Sequence, residues 1–362
     1  MISPGLLALV RCPACHAELD RQAEALTCRR CGTRYERPSA DFLDLRPREE
    51  FLEQTKYLDE ALHADARYER VSPPFLGSKI RNDMLRAFLA PSAADRVVDL
   101  GCGSGRTLLW NRDWQAQTVG VDIAPFFATE ARRDVDLLLG DLRRLPFADA
   151  TFTKAFSLDV LEHLSPEALR GMLTEAARVI APGGTLFVYT HVRKNAPIAG
   201  GLRAINALAR RLERLGLIDM RQERLRKSDH LNPLADIPEL RRVAAETGFR
   251  IARIRYYTPL VGGFVENILM RLAEKRLARL RAAEHERRFG AAGGSVPPEE
   301  ALKMARTEGK RRVAESRSTR ALLRALSAAM KLDLLLFGRI ESGPFFALLE
   351  RVNPPPPQAA AR

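Results

Sequence analysis

The chain has 362 residues, with 58 Lys and Arg against 45 Asp and Glu, which gives a formal net charge of +13. This length exceeds one typical domain, and 46% hydrophobic residues can fill a sizeable core. No apolar stretch approaches the roughly 18 residues of a membrane-spanning helix, and no basic region with a long apolar block begins the chain, which argues against a secretory signal.

The first segment of the chain carries four of its five cysteines in two pairs. Cys12 and Cys15 form one Cys-x-x-Cys turn, and Cys28 and Cys31 form the second. Two such turns direct four thiolates at one point, which completes a closed tetrahedral zinc site of the structural kind. Paired cysteines of this spacing favour a reducing cytoplasm over disulfide bonds, and a redox dithiol is the alternative interpretation. We predict a structural zinc ion in a module at 1–46 that keeps its own local structure.

Residues 47–95 alternate charged and apolar positions. This pattern predicts a helical linker, followed by a helix from about Lys79 to Leu89. The apolar face of that helix is expected to pack on a sheet through Ile80, Met84, Leu85 and Phe88.

The most informative motif is Val-Val-Asp-Leu-Gly-Cys-Gly-Ser-Gly at 97–105. Its apolar start is typical of a parallel strand that is buried on both faces. Gly101, Gly103 and Gly105 lack Cβ atoms, so their backbone N–H groups can approach a ligand closely. Asp122 ends the next apolar run, where a carboxylate can accept hydrogen bonds from ribose hydroxyls. Together these features indicate a binding site for a nucleoside cofactor.

The position of Asp99 selects among nucleoside cofactors. A carboxylate two residues before the first glycine repels a pyrophosphate, whereas it attracts a ligand with an ammonium group. S-adenosylmethionine carries such a group. The stretch Asp-Leu-Gly-Cys-Gly-Ser-Gly at 99–105 resembles motif I of the class I S-adenosylmethionine-dependent methyltransferases.

Further blocks resemble a methyltransferase type 11-like core in the order of that family. Gly-Asp-Leu at 140–142 with Leu-Pro-Phe at 145–147 resembles the adenine-contacting loop, 152–164 resembles the fourth strand and its turn, and 173–189 resembles a helix, a tight turn and the fifth strand. The resemblance implies an α/β fold with a Rossmann-like seven-stranded sheet. The segment from Leu6 to Leu45 resembles the zinc-ribbon modules found beside many bacterial methyltransferases.

The resemblance also implies how individual residues would hold S-adenosylmethionine. Asp99 and the backbone of Gly101 and Gly103, in the turn that Gly105 completes, would hold the methionine end. Asp122 would accept hydrogen bonds from the ribose hydroxyls. The remaining implied contacts are Ile123 against adenine, Asp141 with the adenine amino group, the N–H of Leu142 with a ring nitrogen, and Leu158 and Asp159 beside the methyl group.

Three histidines are the candidate catalytic residues on the acceptor side. His191 follows the fifth strand at the acceptor cleft, His230 lies on a loop that can fold over the cleft, and His163 lies in a Leu-Glu-His-Leu turn that often only caps a helix. Any of them can act as a general base for a hydroxyl acceptor. Asp159, Glu162, His163 and His230 also resemble the carboxylate–histidine metal site of some ubiquinone-type O-methyltransferases and small-RNA 2′-O-methyltransferases. Asp159 stands where those families have Glu.

The whole charge excess lies in two segments outside the cofactor blocks. Residues 202–227 carry 8 Lys and Arg against 3 Asp and Glu, and residues 262–340 carry 17 against 9. Their amphipathic helices are interpreted as solvated faces, as a platform for a membrane surface or as a nucleic-acid surface. The sixth strand is predicted at Phe249–Tyr257 and the seventh at Pro344–Val352, so residues 262–340 form an insertion between them.

The predicted organisation is a zinc-ribbon module at 1–46, a helical linker and cofactor cap at 47–95, a methyltransferase core at 96–260, a basic helical insertion at 261–340, the last core strand at 341–353 and a disordered tail at 354–362. We expect an S-adenosylmethionine-dependent methyltransferase with a small-molecule or lipid-linked acceptor, located in the cytoplasm and in peripheral contact with a membrane. The alternatives are a zinc-ribbon rRNA or tRNA methyltransferase and an inactive methyltransferase-like partner subunit. The sequence leaves open the acceptor, the methylated atom and the oligomeric state.

Overall fold

The computed structural model of the protein describes residues 2–21, 25–36, 41–47, 71–194, 197–221, 223–224, 230–289 and 297–352. Most of the linker predicted within 47–95 falls on residues 48–70, and the predicted tail follows residue 352. Both predictions therefore lie outside the described residues.

Strands and helices are numbered separately along the described chain. The strands are β1 Leu19–Arg21, β2 Ala25–Cys28, β3 Arg34–Glu36, β4 Leu43–Asp44, β5 Arg96–Leu100, β6 Gln117–Asp122, β7 Asp136–Leu139, β8 Phe152–Leu158, β9 Ile180–His191, β10 Phe249–Tyr256 and β11 Pro344–Arg351. The helices are α1 Pro4–Leu9, α2 Leu76–Leu89, α3 Arg106–Trp110, α4 Thr129–Asp134, α5 Pro166–Val179, α6 Ala199–Arg214, α7 Ile237–Glu246, α8 Leu260–Phe264, α9 Met270–Phe289, α10 Pro298–Glu315 and α11 Arg317–Phe337.

A mainly parallel sheet forms the centre of the described chain. Its strand order is β10-β11-β9-β8-β5-β6-β7-β4, and β11 runs antiparallel to both of its neighbours. The α/β, Rossmann-like class and the antiparallel last strand are therefore confirmed. The chain reverses its direction of travel across the sheet between β5 and β8, and ligands of open α/β sheets bind at such a point, beyond the carboxyl ends of the strands.

The described sheet has one strand more than the seven that were expected. The additional strand, β4, comes from the N-terminal segment and pairs in parallel with β7, with Leu43 opposite Leu138. The N-terminal segment also contacts the sheet through an isolated bridge between Val10 and Phe147. Buried side chains from both sides share one cluster, which includes Leu6, Val10, Cys12, Leu26, Cys28, Tyr35, Leu43, Leu138, Leu145 and Phe147. The N-terminal module thus shares the core of the sheet, rather than forming a core of its own.

The segment between β10 and β11 is helical, at the position that the charge pattern predicted. α8 and α9 are joined by a π-helical turn at Val265–Leu269, and α11 returns to the sheet. Met330 of α11 is fully buried in the same cluster as Ile80 and Phe88 of α2. Helix α11 of the predicted insertion therefore packs on the core, where it covers apolar side chains of α2.

Side-chain hydrogen bonds cap the N-termini of α5 and α7. The Ser165 hydroxyl accepts the N–H of Ala168 at the start of α5, and the Asp236 carboxylate accepts the N–H of Glu239 at the start of α7. α2 begins at Leu76, earlier than the residue predicted. No helix in the described part of the chain is long and apolar enough to cross a membrane.

Candidate functional site

The turn after β5 requires glycine for two separate reasons. The φ angles of Gly101, Gly103 and Gly105 are positive, at 85°, 53° and 76°. Residues with a side chain rarely adopt such angles. A Cβ atom at Gly101 would also lie 2.4 Å from Cγ2 of Val160, whereas a Cβ atom at Gly103 would meet nothing within 4 Å. The turn is therefore closely packed against Val160 at Gly101 and open at Gly103, where a ligand can approach the backbone.

Two carboxylates flank this turn. Asp122 ends β6, and its oxygens accept hydrogen bonds from the N–H groups of Gly103, at 2.7 Å, and Ala124, at 2.9 Å. Asp99 is 2% exposed, and burial raises the pKa of its carboxyl well above the usual value, with a further contribution from the charge of Asp122. Burial also raises the pKa of Asp122, although its backbone hydrogen bonds lower it. A ligand that brings a positive charge to Asp99 would favour the ionised form.

The three residues predicted to contact adenine lie at the ends of β6 and β7. Ile123 and Leu142 are half-buried, and Asp141 is buried. The Asp141 carboxylate accepts hydrogen bonds from the backbone N–H of Arg143, at 2.8 Å, and from its guanidinium group, at 2.8 to 3.1 Å. A guanidinium partner for Asp141 was not predicted, since the sequence does not indicate which way Arg143 turns.

Leu158 and Asp159 lie at the end of β8, on the acceptor side of the glycine turn. Asp159 has a positive φ of 56°, and its carboxylate forms an ion pair of 3.3 Å with Nε of Arg81 in α2. The Arg81 guanidinium lies 5.6 Å from the centroid of the Tyr189 ring. Burial lowers the pKa of Arg81, but the combined interactions with Asp159, Tyr189, Glu266 and Tyr257 more than offset this, so Arg81 stays protonated. Sequence reasoning missed Arg81, and its only signal was the predicted cap helix.

The structure brings the three candidate histidines together. The ring centroids of His163 and His230 are 4.6 Å apart, and those of His191 and His230 are 5.3 Å apart. One ligand atom from each of Glu162, His163 and His230 lies within 4.8 Å of the others, an arrangement that can hold a metal ion. The loop that carries His230 is held by a hydrogen bond of 2.9 Å from the N–H of Asn232 to the carbonyl of Glu162.

Glu162 is the most deeply buried member of this cluster, with 3% exposure. Its Oε2 accepts a hydrogen bond of 2.8 Å from the hydroxyl of Thr190, and its Oε1 lies 4.0 Å from Nδ1 of His191. Burial raises the pKa of Glu162 to about 8, and the charge of Asp159 contributes to the rise. A cation next to Glu162 would therefore stabilise its ionised form.

The four N-terminal cysteines converge as predicted. Sγ of Cys12 lies 3.7 Å from Sγ of Cys31, Sγ of Cys15 lies 3.4 Å from Sγ of Cys28, and all four lie within 4.8 Å of one another. A tetrahedral site with zinc–sulfur bonds of about 2.3 Å places its sulfurs about 3.8 Å apart, close to these values. The donor set and spacing are those of a closed structural zinc site.

Helix α6 presents exposed cations soon after β9. Arg203, Arg210, Arg211 and Arg214 are exposed, and no ion pair involves them among the described residues. Three of them, Arg203, Arg210 and Arg214, share one face at helical spacing. On the opposite face, Ala209 is buried with Ile268, and α6 packs on α8.

Two family models match the chain. A methyltransferase domain model matches residues 98–188, from β5 to β9, and a model of Trm112p-like protein matches residues 3–36, around the four cysteines. The fold of the described core and the order of its motifs agree with the first match. The cysteine cluster agrees with the second.

Several curated relatives match the same part of the chain. A probable tRNA methyltransferase 9B of Mus musculus is 33% identical over 134 residues, which cover 36% of this chain and 30% of the relative. A sterol 4-C-methyltransferase of Caenorhabditis elegans is 30% identical over 140 residues, 34% of this chain and 41% of the relative. A demethylmenaquinone methyltransferase of Beutenbergia cavernae is 35% identical over 103 residues, 28% of this chain and 42% of the relative. The chain thus spans less than half the length of each.

Solved structures that match the chain include the [4+2]-cyclase SpnF, with a TM-score of 0.46 and 15% identity over 83% of this chain and 94% of that one. A complex of the Haloferax volcanii Trm112 methyltransferase activator has a TM-score of 0.37 and 22% identity, over 57% of this chain and 80% of that one.

Proposed function

We propose that this chain transfers the methyl group of S-adenosylmethionine to an RNA acceptor. The proposal starts from the match of residues 98–188 to the methyltransferase domain model. The observation that carries the proposal is the convergence of Asp99, Asp122 and the glycine turn at the ends of β5 and β6. Asp99 provides negative charge for an ammonium group, and Asp122 provides acceptors for two hydroxyls. A dinucleotide would instead bring its pyrophosphate to the same carboxylates.

We assign the adenine end of the cofactor to Ile123, Asp141 and Leu142. Ile123 and Leu142 offer half-buried apolar side chains and backbone N–H groups at the ends of β6 and β7. Asp141 already accepts hydrogen bonds from a neighbouring guanidinium group, but a carboxylate has about four lone-pair sites and can accept the adenine amino group as well. Leu158 and Asp159 are assigned to the methyl end.

RNA as the acceptor class is supported by the relatives and by the surface charge. One relative is named as a probable tRNA methyltransferase, and the N-terminal segment matches the Trm112p-like model. The exposed arginines of α6, Arg203, Arg210, Arg211 and Arg214, can bind phosphate oxygens in pairs. The net charge of +13 has the sign that an RNA backbone requires.

Catalysis of methyl transfer depends mainly on alignment of the acceptor atom with the sulfonium carbon. A hydroxyl acceptor also benefits from a base or from a cation that polarises its oxygen. We assign this role to the cluster of Glu162, His163 and His230, because one carboxylate and two imidazoles suit a divalent transition metal. His191 and His230 are the general-base alternative, since both rings lie at the same place.

The α6 arginines provide a direct test of the RNA assignment. Replacing Arg203, Arg210, Arg211 and Arg214 together with Gln should weaken tRNA binding about tenfold or more at low salt, because phosphate contacts dominate such binding. The affinity for S-adenosylhomocysteine should not change. Arg203→Gln with Arg210→Gln is compared with Arg317→Gln and Arg324→Gln on α11, a control that removes the same number of charges and should bind tRNA as the wild type does.

Equal tRNA binding by all of these proteins would contradict the RNA assignment. Methyl transfer to a small-molecule or lipid-linked acceptor would then support the alternative named by the sterol and demethylmenaquinone relatives. Cofactor binding without transfer to any acceptor would support a partner subunit instead.

A further inference from the structure

Helix α11 has a second apolar face that no described residue covers. Leu323 and Met330 are buried against the rest of the protein, whereas four leucines point outward and are 44% to 73% exposed. We call these four the leucine ridge: Leu322, Leu332, Leu335 and Leu336. Single exposed leucines are ordinary, but four on one helix, three of them within its last six residues, indicate a contact surface.

Exposed cations of α11 flank the leucine ridge, and one of them, Lys331, forms an ion pair of 2.6 Å with Asp83 of α2. Arg317, Arg324 and Lys331 are exposed on α11. The only acid in the helix, Asp333, is fully buried, and its carboxylate accepts hydrogen bonds from the N–H groups of Val261, at 2.9 Å, and of the next residue, at 2.8 Å. The solvent-facing side of α11 therefore combines leucines with cations and has no acid.

A groove of about 970 Å³ adjoins the leucine ridge, between α2, β10 and α11. Leu332 and Leu335 belong to both surfaces, and Ile80 and Phe88 line the groove from α2. Arg253 of β10 lies at the groove, and its guanidinium group is 4.1 Å from the centroid of the Phe88 ring. Arg253 is exposed and forms no ion pair among the described residues. The groove thus combines an apolar lining with the exposed Arg253 and with the ion pair of Lys331 and Asp83.

The composition of this surface distinguishes among three candidate binding partners. A second copy of the chain would place like charges of the two α11 helices opposite each other, which is unfavourable. Single-stranded RNA needs aromatic side chains for base stacking, and the ridge offers leucines. An anionic bilayer combines negative head groups with an apolar interior and so matches both the cations and the leucines.

We propose that the leucine ridge and the adjoining groove form a docking surface for an anionic lipid bilayer. The ridge leucines enter the boundary between head groups and acyl chains, and Arg253 binds a lipid phosphate at the groove. This proposal is independent of the acceptor, and the contact it describes requires no membrane-spanning helix.

Vesicle co-sedimentation tests the proposal with the full chain. The wild type should sediment with vesicles of phosphatidylcholine and phosphatidylglycerol, and not with phosphatidylcholine alone. Leu335→Gln with Leu336→Gln should reduce this binding about fivefold or more, because buried apolar area is lost. Leu208→Gln with Leu215→Gln is the matched control, since these leucines of α6 are similarly exposed, and it should leave binding unchanged.

A second pair of variants tests the groove. Arg253→Gln should weaken binding to anionic vesicles, whereas Arg250→Gln, on the same strand but paired with Glu350, should not. Equal sedimentation with both vesicle types, or equal losses in the ridge and control variants, would overturn the proposal. It would also be overturned if light scattering showed a dimer that only the ridge variant converts to a monomer, or if the ridge variant lost RNA binding instead of vesicle binding.

Discussion

The Asp122 carboxylate accepts a hydrogen bond of 2.7 Å from the backbone N–H of Gly103. This bond joins the end of β6 to the turn after β5, so the proposed ribose-binding acid and the glycine turn keep a fixed spacing. The other carboxylate oxygen of Asp122 accepts the N–H of Ala124. Because backbone groups hold both oxygens, the carboxylate is oriented before a ligand binds, and this lowers the entropy lost on binding.

Replacing Asp122 with Ala should weaken the binding of S-adenosylhomocysteine by about 1.5–3 kcal/mol, since hydrogen bonds from hydroxyls to a charged acceptor are lost. Titration calorimetry measures the change. Asp113→Ala, which removes a surface carboxylate paired with Arg86, is the control and should bind as the wild type does. An Asp122 variant of unchanged affinity would rule out the ribose assignment.

Asp99 should make cofactor binding depend on pH, because burial and the charge of Asp122 raise its pKa. An ammonium group binds the ionised carboxylate, so affinity should fall as the pH drops below the raised pKa, and binding in that range should release protons. Calorimetry in buffers with different ionisation enthalpies measures this release. Asp99→Asn should bind more weakly at alkaline pH and lose most of the release. A wild-type affinity that is constant down to acidic pH would refute this role of Asp99.

Loss of the ribbon zinc should destabilise the sheet as well as the ribbon. Cys12 and Cys28 belong to the same buried cluster as Leu145 and Phe147 of the core, so Cys12→Ser with Cys28→Ser should remove the zinc and lower the Tm of the whole protein. Elemental analysis and thermal unfolding measure the two effects. Cys102→Ala is the control for zinc content, because this cysteine lies outside the cluster of four. An unchanged Tm in the zinc-free variant would instead indicate an independent ribbon.

The cluster of Glu162, His163 and His230 should bind a second divalent ion. Glu162→Ala and His163→Ala should each reduce the ion content of the manganese-treated protein to that of the ribbon alone. His16→Ala, in the N-terminal segment, is the matched control and should keep both ions. Equal metal content in all of these proteins would leave the general-base alternative for His191 and His230.

Helix α11 should contribute to the stability of the core despite its place in the insertion. Met330→Ala should lower the free energy of unfolding by about 2–5 kcal/mol, since it leaves a cavity beside Ile80 and Phe88. Leu336→Ala, at a position that is 60% exposed, should change stability by no more than about 0.5 kcal/mol. Equal small effects in both variants would show that the insertion is separable from the core.

Those parts of the fold that depend on local sequence patterns could be predicted from the sequence alone. The glycine turn at 101–105 is specified by backbone conformation, and the apolar run of β5 before it is buried as its pattern predicted. The late position of β11 was predicted because the run from Pro344 is the first strand-like candidate after β10. These features depend on neighbours in the chain, which a single sequence displays.

Contacts between distant segments could not be predicted in the same way. β4 has two residues, too few for a periodic pattern, and its place beside β7 depends on how the N-terminal segment packs. The approach of Arg81 to Asp159 joins a cap helix to a strand end. The burial of Met330 depends on the return of α11 to α2, which a basic amphipathic pattern does not indicate.

Transfer of label from tritium-methyl S-adenosylmethionine to total tRNA by the purified full chain decides whether RNA is the acceptor. We expect label that nuclease releases, and loss of that label in the Asp122→Ala variant. Label that appears only in a chloroform-extractable or small-molecule fraction, with none in RNA, would rule out RNA as the acceptor.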